Sequence, residues 1–304
     1  MRFFLLFFFF VFTITAQEVL IDGTIYDSKT QETVPYVSVS FLNTLKGAST
    51  DEKGYFFIDV PSAFLEKKVY LSSLGYKDTI VAVKQIVTDK KFYMEQESFE
   101  LDEVIVAKSL GDSFVLNPIA SYDLKSGFAS SSTPWVLATY YPNIGAQKKY
   151  INKVTVFFQK DDSFKRKASK FRIRVYNVDP ETKKPKTDLL RKSIILEAFA
   201  ENDFVSIDLS AFNIKMPREG IYIGLEWLFV PYNWYALKGK DPISNELTLE
   251  DRFAPTFGGI YNKNQNFKVM VYGMGDWTDF KVKSKDNTKH LIPAVSLKLS
   301  KEKQ

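Results

Sequence analysis

Residues 170–176, which read KFRIRVY, alternate strictly between apolar and polar side chains. The two resulting faces carry Phe171, Ile173 and Val175 on one side and Arg172, Arg174 and Tyr176 on the other. Successive side chains of an extended chain point to opposite sides, so one face of this segment can pack on a core while the other faces water. The stretch therefore predicts a half-buried strand of an antiparallel sheet.

The same alternation recurs through much of the chain. Clear further examples are residues 205–209, 221–227 and 295–299. Amphipathic helical stretches of about 12 residues or more are missing, and short helical turns are expected only at 62–66 and 247–252. Gly, Pro, Asn and Asp separate the predicted strands, as they do in sandwiches and barrels. The predicted fold class is all-β, and a length of 304 residues favours two domains.

The first 16 residues predict export. Arg2 precedes an uncharged run of Phe, Leu and Val over residues 3–12, and Ala16 comes just before polar residues. A basic start, a short apolar stretch and a small residue are typical of a cleaved signal peptide. The alternative is a membrane anchor, but a spanning helix needs about 20 apolar residues. Since no Cys is present to carry a lipid and no later stretch is long enough to span a bilayer, we expect an exported protein of the periplasm, outer membrane or cell surface.

The charge distribution argues against nucleic acid as a partner. The formal net charge of +5 falls to +4 without Arg2, and residues 281–304 alone carry seven Lys against Asp286 and Glu302. The rest of the mature chain is therefore close to neutral, whereas a nucleic-acid binder shows a basic patch on a folded face. The Lys-rich tail is either a solvated terminus or a contact for an anionic surface. The lack of Cys also excludes disulfides, thiol nucleophiles and zinc–thiolate sites.

Five segments near the N-terminus stand out by their order and their turn residues. They are residues 22–27 (DGTIYD), 33–39 (TVPYVSV), 47–56 (GASTDEKGYF), 73–76 (SLGY) and 101–106 (LDEVIV). Together they resemble the carboxypeptidase regulatory-like family, which implies a seven-stranded transthyretin-like, or Ig-like, sandwich over residues 17–107. The expected strands are 19–26, 37–43, 54–60, 68–73, 79–83, 91–94 and 103–106. Gly54 can supply the positive φ that closes the turn before the third of these strands.

This resemblance implies a fold and not peptidase activity. Zinc carboxypeptidases need two His and a Glu on the metal, and His290 is the single His of the chain. Regulatory-like domains are accessory modules. In exported proteins of Bacteroidetes-like bacteria they often precede a TonB-dependent transporter, so the resemblance implies a role beside the outer membrane. A chain of this length has no room for such a transporter, and transport is not expected of it.

The remainder of the chain predicts a second sandwich. Residues 108–133 are rich in Ser, Gly, Asp and Pro and are expected to be a linker or a loosely structured lead-in. Residues 134–304 resemble, in the spacing of their strands, jelly-roll-like β-sandwiches such as carbohydrate-binding and discoidin-like domains.

The candidate ligand-binding residues are Tyr232, Asn233, Trp234 and Tyr235, in a stretch expected to be a loop. Aromatic rings on a loop can stack on a sugar or a peptide while Asn233 hydrogen-bonds to it. The alternative is that Trp234 and Tyr235 fold back and cap one end of the sandwich.

Weaker candidates are a calcium site and a catalytic carboxylate. Asp161, Asp162 and Ser163 could offer oxygens to Ca²⁺, although a solvated turn is the favoured explanation of two adjacent carboxylates in a loop. A glycosidase needs two carboxylates about 5–10 Å apart, and Glu226 beside Trp227 is the one carboxylate that invites this hypothesis. The leading expectation is a non-catalytic protein without a cofactor that binds a protein or glycan of the cell envelope. A carbohydrate-binding protein and, last, a glycosidase are the alternatives.

Overall fold

A computed structural model describes residues 17–97, 110–145, 149–190, 192–240, 245–264, 266–273, 275–285 and 287–302. Within these ranges the chain is all-β with one short α-helix, which confirms the predicted fold class. The helical segments found there lack the length and apolar character needed to cross a bilayer. The predicted signal peptide at 1–16 and the predicted strand at 103–106 lie outside the described residues.

The N-terminal sandwich is built from seven described strands. They are β1 Glu18–Asp27, β2 Ser38–Phe41, β3 Gly47–Ser49, β4 Tyr55–Pro61, β5 Lys68–Ser72, β6 Thr79–Ala82 and β7 Lys91–Met94. One sheet has the order β4-β1-β7, with β7 parallel to β1, and the other has the order β3-β2-β5-β6. Six of these strands were predicted, while the short β3 was not.

Alternating side chains of these strands form the N-terminal core. Ile21 and Ile25 of β1 are fully buried, as are Val39 of β2 and Leu71 of β5. A 3₁₀ turn at Ser62–Glu66 confirms the predicted turn there, and helix α1, Val83–Asp89, closes one side of the core. This helix was not predicted because it spans only seven residues, which is too short for a helical period to stand out.

The C-terminal sandwich contains fifteen described strands. They are β8 Leu110–Leu116, β9 Ser126–Ser130, β10 Val136–Tyr141, β11 Lys149–Phe157, β12 Ala168–Val178, β13 Pro185–Asp188, β14 Ile194–Phe199, β15 Phe204–Asp208, β16 Ile221–Trp227, β17 Trp234–Lys240, β18 Leu247–Asn262, β19 Val269–Gly273, β20 Asp276–Asp279, β21 His290–Pro293 and β22 Val295–Glu302.

Two layers of these strands enclose the C-terminal core. One layer is a seven-stranded sheet of order β13-β12-β16-β10-β19-β20, with β14 also paired to β12. The facing layer consists of β15-β11-β22-β8 and of β17-β18-β21, with β9 paired to β18. Phe171, Ile173 and Val175 of β12 point into this core and are completely buried, as the alternation predicted.

Two predictions for this half of the chain were wrong. Residues 108–133 were expected to be a linker or a loosely structured lead-in, but within their described part β8 pairs with β22 and β9 pairs with β18. The small residues there reflect close packing: a Cβ on Gly127 would lie 2.6 Å from Cγ2 of Thr256. Residues 247–252 are not a helical turn but the start of β18, which pairs along its length with β17.

Candidate functional site

Buried charges lie on the outer face of the seven-stranded sheet, the face turned away from the C-terminal core. Arg172 of β12 is opposite Glu226 of β16, and Arg174 is opposite Gly224 in the same ladder. Nη1 of Arg172 donates to Oε1 of Glu226 at 2.9 Å, and Nε of Arg174 donates to Oε2 at 2.8 Å. All three charged side chains are buried, Arg172 completely. One carboxylate thus holds two guanidinium groups.

Asp188, at the end of β13, adds a second carboxylate. Its Oδ1 accepts a hydrogen bond of 2.9 Å from the backbone N–H of Leu190, and its Oδ2 lies 3.5 Å from Nη1 of Arg174. We call Arg172, Arg174, Asp188 and Glu226 the ionic cluster. Two cations and two anions balance within it, which is the condition under which charges are tolerated away from water.

Burial raises the pKa of each of the two carboxylates, whereas pairing with arginine lowers it. Burial raises the pKa of Glu226, but attraction to Arg172 and Arg174 outweighs it and holds the pKa below its usual value. For Asp188 burial prevails, and the pKa is raised even though Arg174 lies beside it. Glu226 is therefore fixed as a carboxylate at neutral pH and serves to hold the two arginines.

The N-terminal sandwich covers the ionic cluster. Nη2 of Arg172 donates to the carbonyl oxygen of Tyr36 at 2.7 Å. The backbone N–H of Ser49, in β3, donates to the carbonyl oxygen of Phe229, and the N–H of Phe229 donates to the hydroxyl of Ser49, both at 3.0 Å. Gly47 permits this approach, because a Cβ there would lie 2.6 Å from Cδ of Pro134. The two domains are thus joined through main-chain contacts as well as charges.

The prediction that the polar face of residues 170–176 lies in water was wrong. Arg172, Arg174 and Tyr176 are all buried. Alternation shows that the two faces of a strand differ in polarity, but it does not show what covers each face. The available signal was the pair of arginines on one face together with Glu226, which the alternation of its own strand also places away from the core.

The four predicted ligand-binding residues divide into two pairs. Asn233 and Tyr235 are buried, whereas Tyr232 and Trp234 are 42% and 43% exposed. Residues 231–233 form a turn, but Trp234 and Tyr235 belong to β17, so the expected loop is shorter than predicted.

The buried pair has structural contacts. The Asn233 side chain accepts from the backbone N–H of Lys170 at 2.8 Å and donates to the carbonyl oxygens of Lys170 and Leu228 at 2.6 and 2.8 Å. The hydroxyl of Tyr235 donates to Oδ2 of Asp161 at 2.5 Å. Burial, followed by this bond to a carboxylate, raises the pKa of Tyr235 to about 12. Asn233 therefore fastens the turn to β12, and neither side chain faces outward.

The exposed pair is held by a neighbouring arginine. Nη1 of Arg166 donates to the carbonyl oxygens of Tyr232 and Trp234, at 2.7 Å each, and its guanidinium carbon lies 5.9 Å from the centre of the Tyr232 ring. Nζ of Lys170 lies 5.5 Å from the same ring and pairs with Glu52 of the N-terminal domain. We call Tyr232 and Trp234 the aromatic pair.

The calcium hypothesis gains no support from the geometry of its residues. Besides the bond from Tyr235, the Asp161 carboxylate accepts from the backbone N–H of Ser163 at 2.9 Å. Within the described ranges, no three Asp, Glu or His side chains come together as potential metal ligands. These contacts are those of a turn in which the first carboxylate closes the chain on itself.

The fold and its buried junction define a two-domain β-sandwich protein. Residues 21–106 match the family model described as CarboxypepD_reg-like domain, so the N-terminal domain is of the carboxypeptidase regulatory-like kind, as predicted. The comparison with curated proteins gave no match.

Among solved structures, the chain is similar to one described as "Structure of infectious bursal disease virus Gx strain", at 10% sequence identity and a TM-score of 0.20. That alignment covers 93% of this chain and 63% of the other.

Proposed function

We propose that this protein is an exported, non-catalytic accessory protein of the cell envelope that acts as a binding or structural module. The observation that carries this proposal is the position of Glu226, whose two oxygens are bound by Arg172 and Arg174 beneath the N-terminal domain. A general acid has to gain and lose a proton beside the reacting bond, and two adjacent arginines oppose its protonation. The accessory character of regulatory-like domains supports the same role.

Hydrolysis assays test the non-catalytic part of this proposal. The purified mature protein should release no product from mixed peptides or from polysaccharides above the level of a buffer blank. Turnover at enzyme-like rates that follows the protein through a second purification step would contradict the proposal.

Export is tested separately by expression of the full chain in a Gram-negative host. We expect the protein outside the cytoplasm, with an N-terminus at Gln17 by sequencing, since the small Ala16 closes the signal peptide. Intact Met1 on a protein retained in the cytoplasm would contradict this part.

Carbohydrate binding by the aromatic pair is a second candidate function. It is favoured by two half-exposed rings whose backbone is fixed by Arg166 and by the bond of 2.9 Å from Nε1 of Trp234 to Oδ1 of Asp251. Rings held in this way lose little freedom when a sugar stacks on them. On a glycan array, Trp234→Ala should lose binding, while Tyr93→Ala, which removes a half-exposed ring of the N-terminal domain, should not. Unchanged binding by Trp234→Ala would reject this site.

A further inference from the structure

A cavity of about 240 Å³ lies between the two domains, beside the ionic cluster. Its inner wall includes Arg174, Asp188 and Glu226 from the C-terminal sandwich. The opposite wall comes from β2 and β5, where Ser38 and Ser72 are paired in register and share one face of the N-terminal sheet. Exposed side chains, among them Asp78, Glu97, Lys186 and Thr187, form its rim. A small molecule therefore has a route into the cavity from solvent.

Several polar groups of the cavity lack a partner within the described part of the chain. The hydroxyl of Tyr176, a residue only 8% exposed, forms no hydrogen bond there, and the same holds for the hydroxyls of Ser38 and Ser72. Oδ2 of Asp188 is not among these groups, since it is buried and ion-paired with Nη1 of Arg174 at 3.5 Å. Each of these three hydroxyls lines a cavity that is open to solvent, and each can donate and accept a hydrogen bond. They are therefore available to a polar molecule that enters the cavity.

A series of side-chain hydrogen bonds fixes the residues of another wall of the cavity. The Tyr70 hydroxyl donates to the Asp78 carboxylate. Since its one proton is used there, Tyr272, whose hydroxyl oxygen lies 2.6 Å away, donates to Tyr70. Burial raises the pKa of Tyr272 to about 12, so this hydroxyl stays protonated at neutral pH. The hydrogen bonds therefore run in one direction, from Tyr272 to Tyr70 to Asp78. The hydroxyl oxygen of Tyr272 keeps a lone pair that can accept a hydrogen bond from a ligand.

Charge and size narrow the class of ligand. The charges at the inner wall neutralise one another within the ionic cluster, so an ionic ligand would meet no excess of opposite charge. The unpartnered groups include both donors and acceptors, which suits hydroxyl groups because each hydroxyl can do both. Three aromatic rings provide apolar surface beside these polar groups. The ring centroid of Trp277 lies 5.1 Å from that of Tyr272 and 5.3 Å from that of Tyr176. The volume is below the range of about 300–1,000 Å³ of drug-sized sites.

We infer that this interdomain cavity is a binding site for a neutral polyhydroxylated ligand the size of one sugar ring, held by the hydroxyls of Tyr176, Ser38, Ser72 and Tyr272. This inference rests on the proposed binding role and gives it a location distinct from the aromatic pair. The ligand touches both domains, so its binding also stabilises their contact by mass action.

The test is titration of the mature protein with glucose, galactose, mannose and N-acetylglucosamine, followed by calorimetry and ligand-observed NMR. We expect saturable binding of at least one sugar. Tyr176→Phe should weaken it about fivefold, the effect of one neutral hydrogen bond, and Ser72→Leu should abolish it by filling the space. Ser113→Val, which removes an exposed hydroxyl from β8 on the far layer, is the matched control and should bind like the wild type.

Each outcome decides the inference. An unfolding curve for every variant separates loss of binding from loss of structure. No saturable binding of any of the four sugars would mean that the cavity holds water only and would overturn the inference. Binding that is unchanged in both cavity variants but lost in Trp234→Ala would overturn it as well, while leaving the proposed binding function intact. Failure of that function would show instead as catalytic turnover.

Discussion

The two faces of the seven-stranded sheet are both buried, but in different ways. The inner face packs Phe171, Ile173 and Val175 into an apolar core, where any apolar side chain of suitable volume contributes. The outer face is covered by the N-terminal domain and carries the ionic cluster, in which each charge depends on a particular partner. Apolar packing therefore stabilises this sheet from one side, whereas paired charges on the other side set how the N-terminal domain sits on it.

Substitution of Glu226 on the outer face should cause the largest loss in the free energy of unfolding. Glu226→Gln takes away the anion that holds Arg172 and Arg174, and uncompensated buried charges cost about 3–5 kcal/mol. Denaturant unfolding should show a loss of this size. The exposed pair of Lys84 and Glu66, 2.7 Å apart, is the control, and Glu66→Gln should leave the midpoint unchanged. If Glu226→Gln and Glu66→Gln had equally small effects on unfolding, the distinction between the buried ionic cluster and an exposed ion pair would be contradicted.

The close approach at β3 should give the next largest effect. Gly47→Ala would place a Cβ 2.6 Å from Cδ of Pro134 and 2.7 Å from the carbonyl oxygen of Val39. Forcing atoms into a packed site costs about 1–3 kcal/mol, and thermal unfolding should report it. At Gly273 nothing lies within 4 Å of an added Cβ, so Gly273→Ala should have little effect. A harmless Gly47→Ala would mean that the domains are not in contact there.

Low pH should reduce the stability that Glu226 contributes to the folded protein. Its folded pKa lies below the usual 4.5, so the stability it provides is complete above that pH and is lost as the pH falls through the folded pKa. The difference in free energy of unfolding between wild type and Glu226→Gln should therefore shrink below pH 4.5, by about 1.4 kcal/mol for each unit between the two pKa values. A difference that stays constant from pH 7 to pH 3 would contradict the pairing.

The smallest change in the free energy of unfolding is expected when the hydroxyl of a buried tyrosine is removed, and two tyrosines can be compared. The hydroxyl of Tyr141, on the inner face, donates to the carbonyl oxygen of Val295 at 2.8 Å, and Tyr141→Phe should cost about 1 kcal/mol. Tyr176 on the outer face has no such partner among the described residues, so Tyr176→Phe should be neutral or slightly stabilising in the absence of ligand. Chemical denaturation of both variants checks this, and a larger loss for Tyr176→Phe would show that its hydroxyl is satisfied within the protein.

Much of the fold was predictable because it depends on local patterns. Alternation located β12 and β16, six of the seven described N-terminal strands were expected, and the positive φ at Gly54 was expected from its turn. The strand β3 was missed because three small residues carry no alternation. The domain junction was missed for a different reason: contacts such as Arg172 with Tyr36 join residues far apart in the sequence, and no local pattern reports them.

The candidate ligand-binding residues show the same limit. The sequence located an aromatic group at residues 232–235, but only the fold separates exposed Tyr232 and Trp234 from buried Asn233 and Tyr235. Burial of Asn233 follows from its bonds to the main chain of β12, which lies 63 residues earlier.

The central claim is that the N-terminal domain covers the outer face of the seven-stranded sheet, and a cross-link tests it most directly. The hydroxyl of Thr133 lies 3.4 Å from that of Ser40 across the junction, and the natural chain contains no Cys. Mild oxidation of the double variant Ser40→Cys/Thr133→Cys should form an intramolecular disulfide, detectable by mass spectrometry of its peptides, whereas Ser40→Cys/Ser113→Cys should not. Free thiols at positions 40 and 133 in a folded protein would contradict the account.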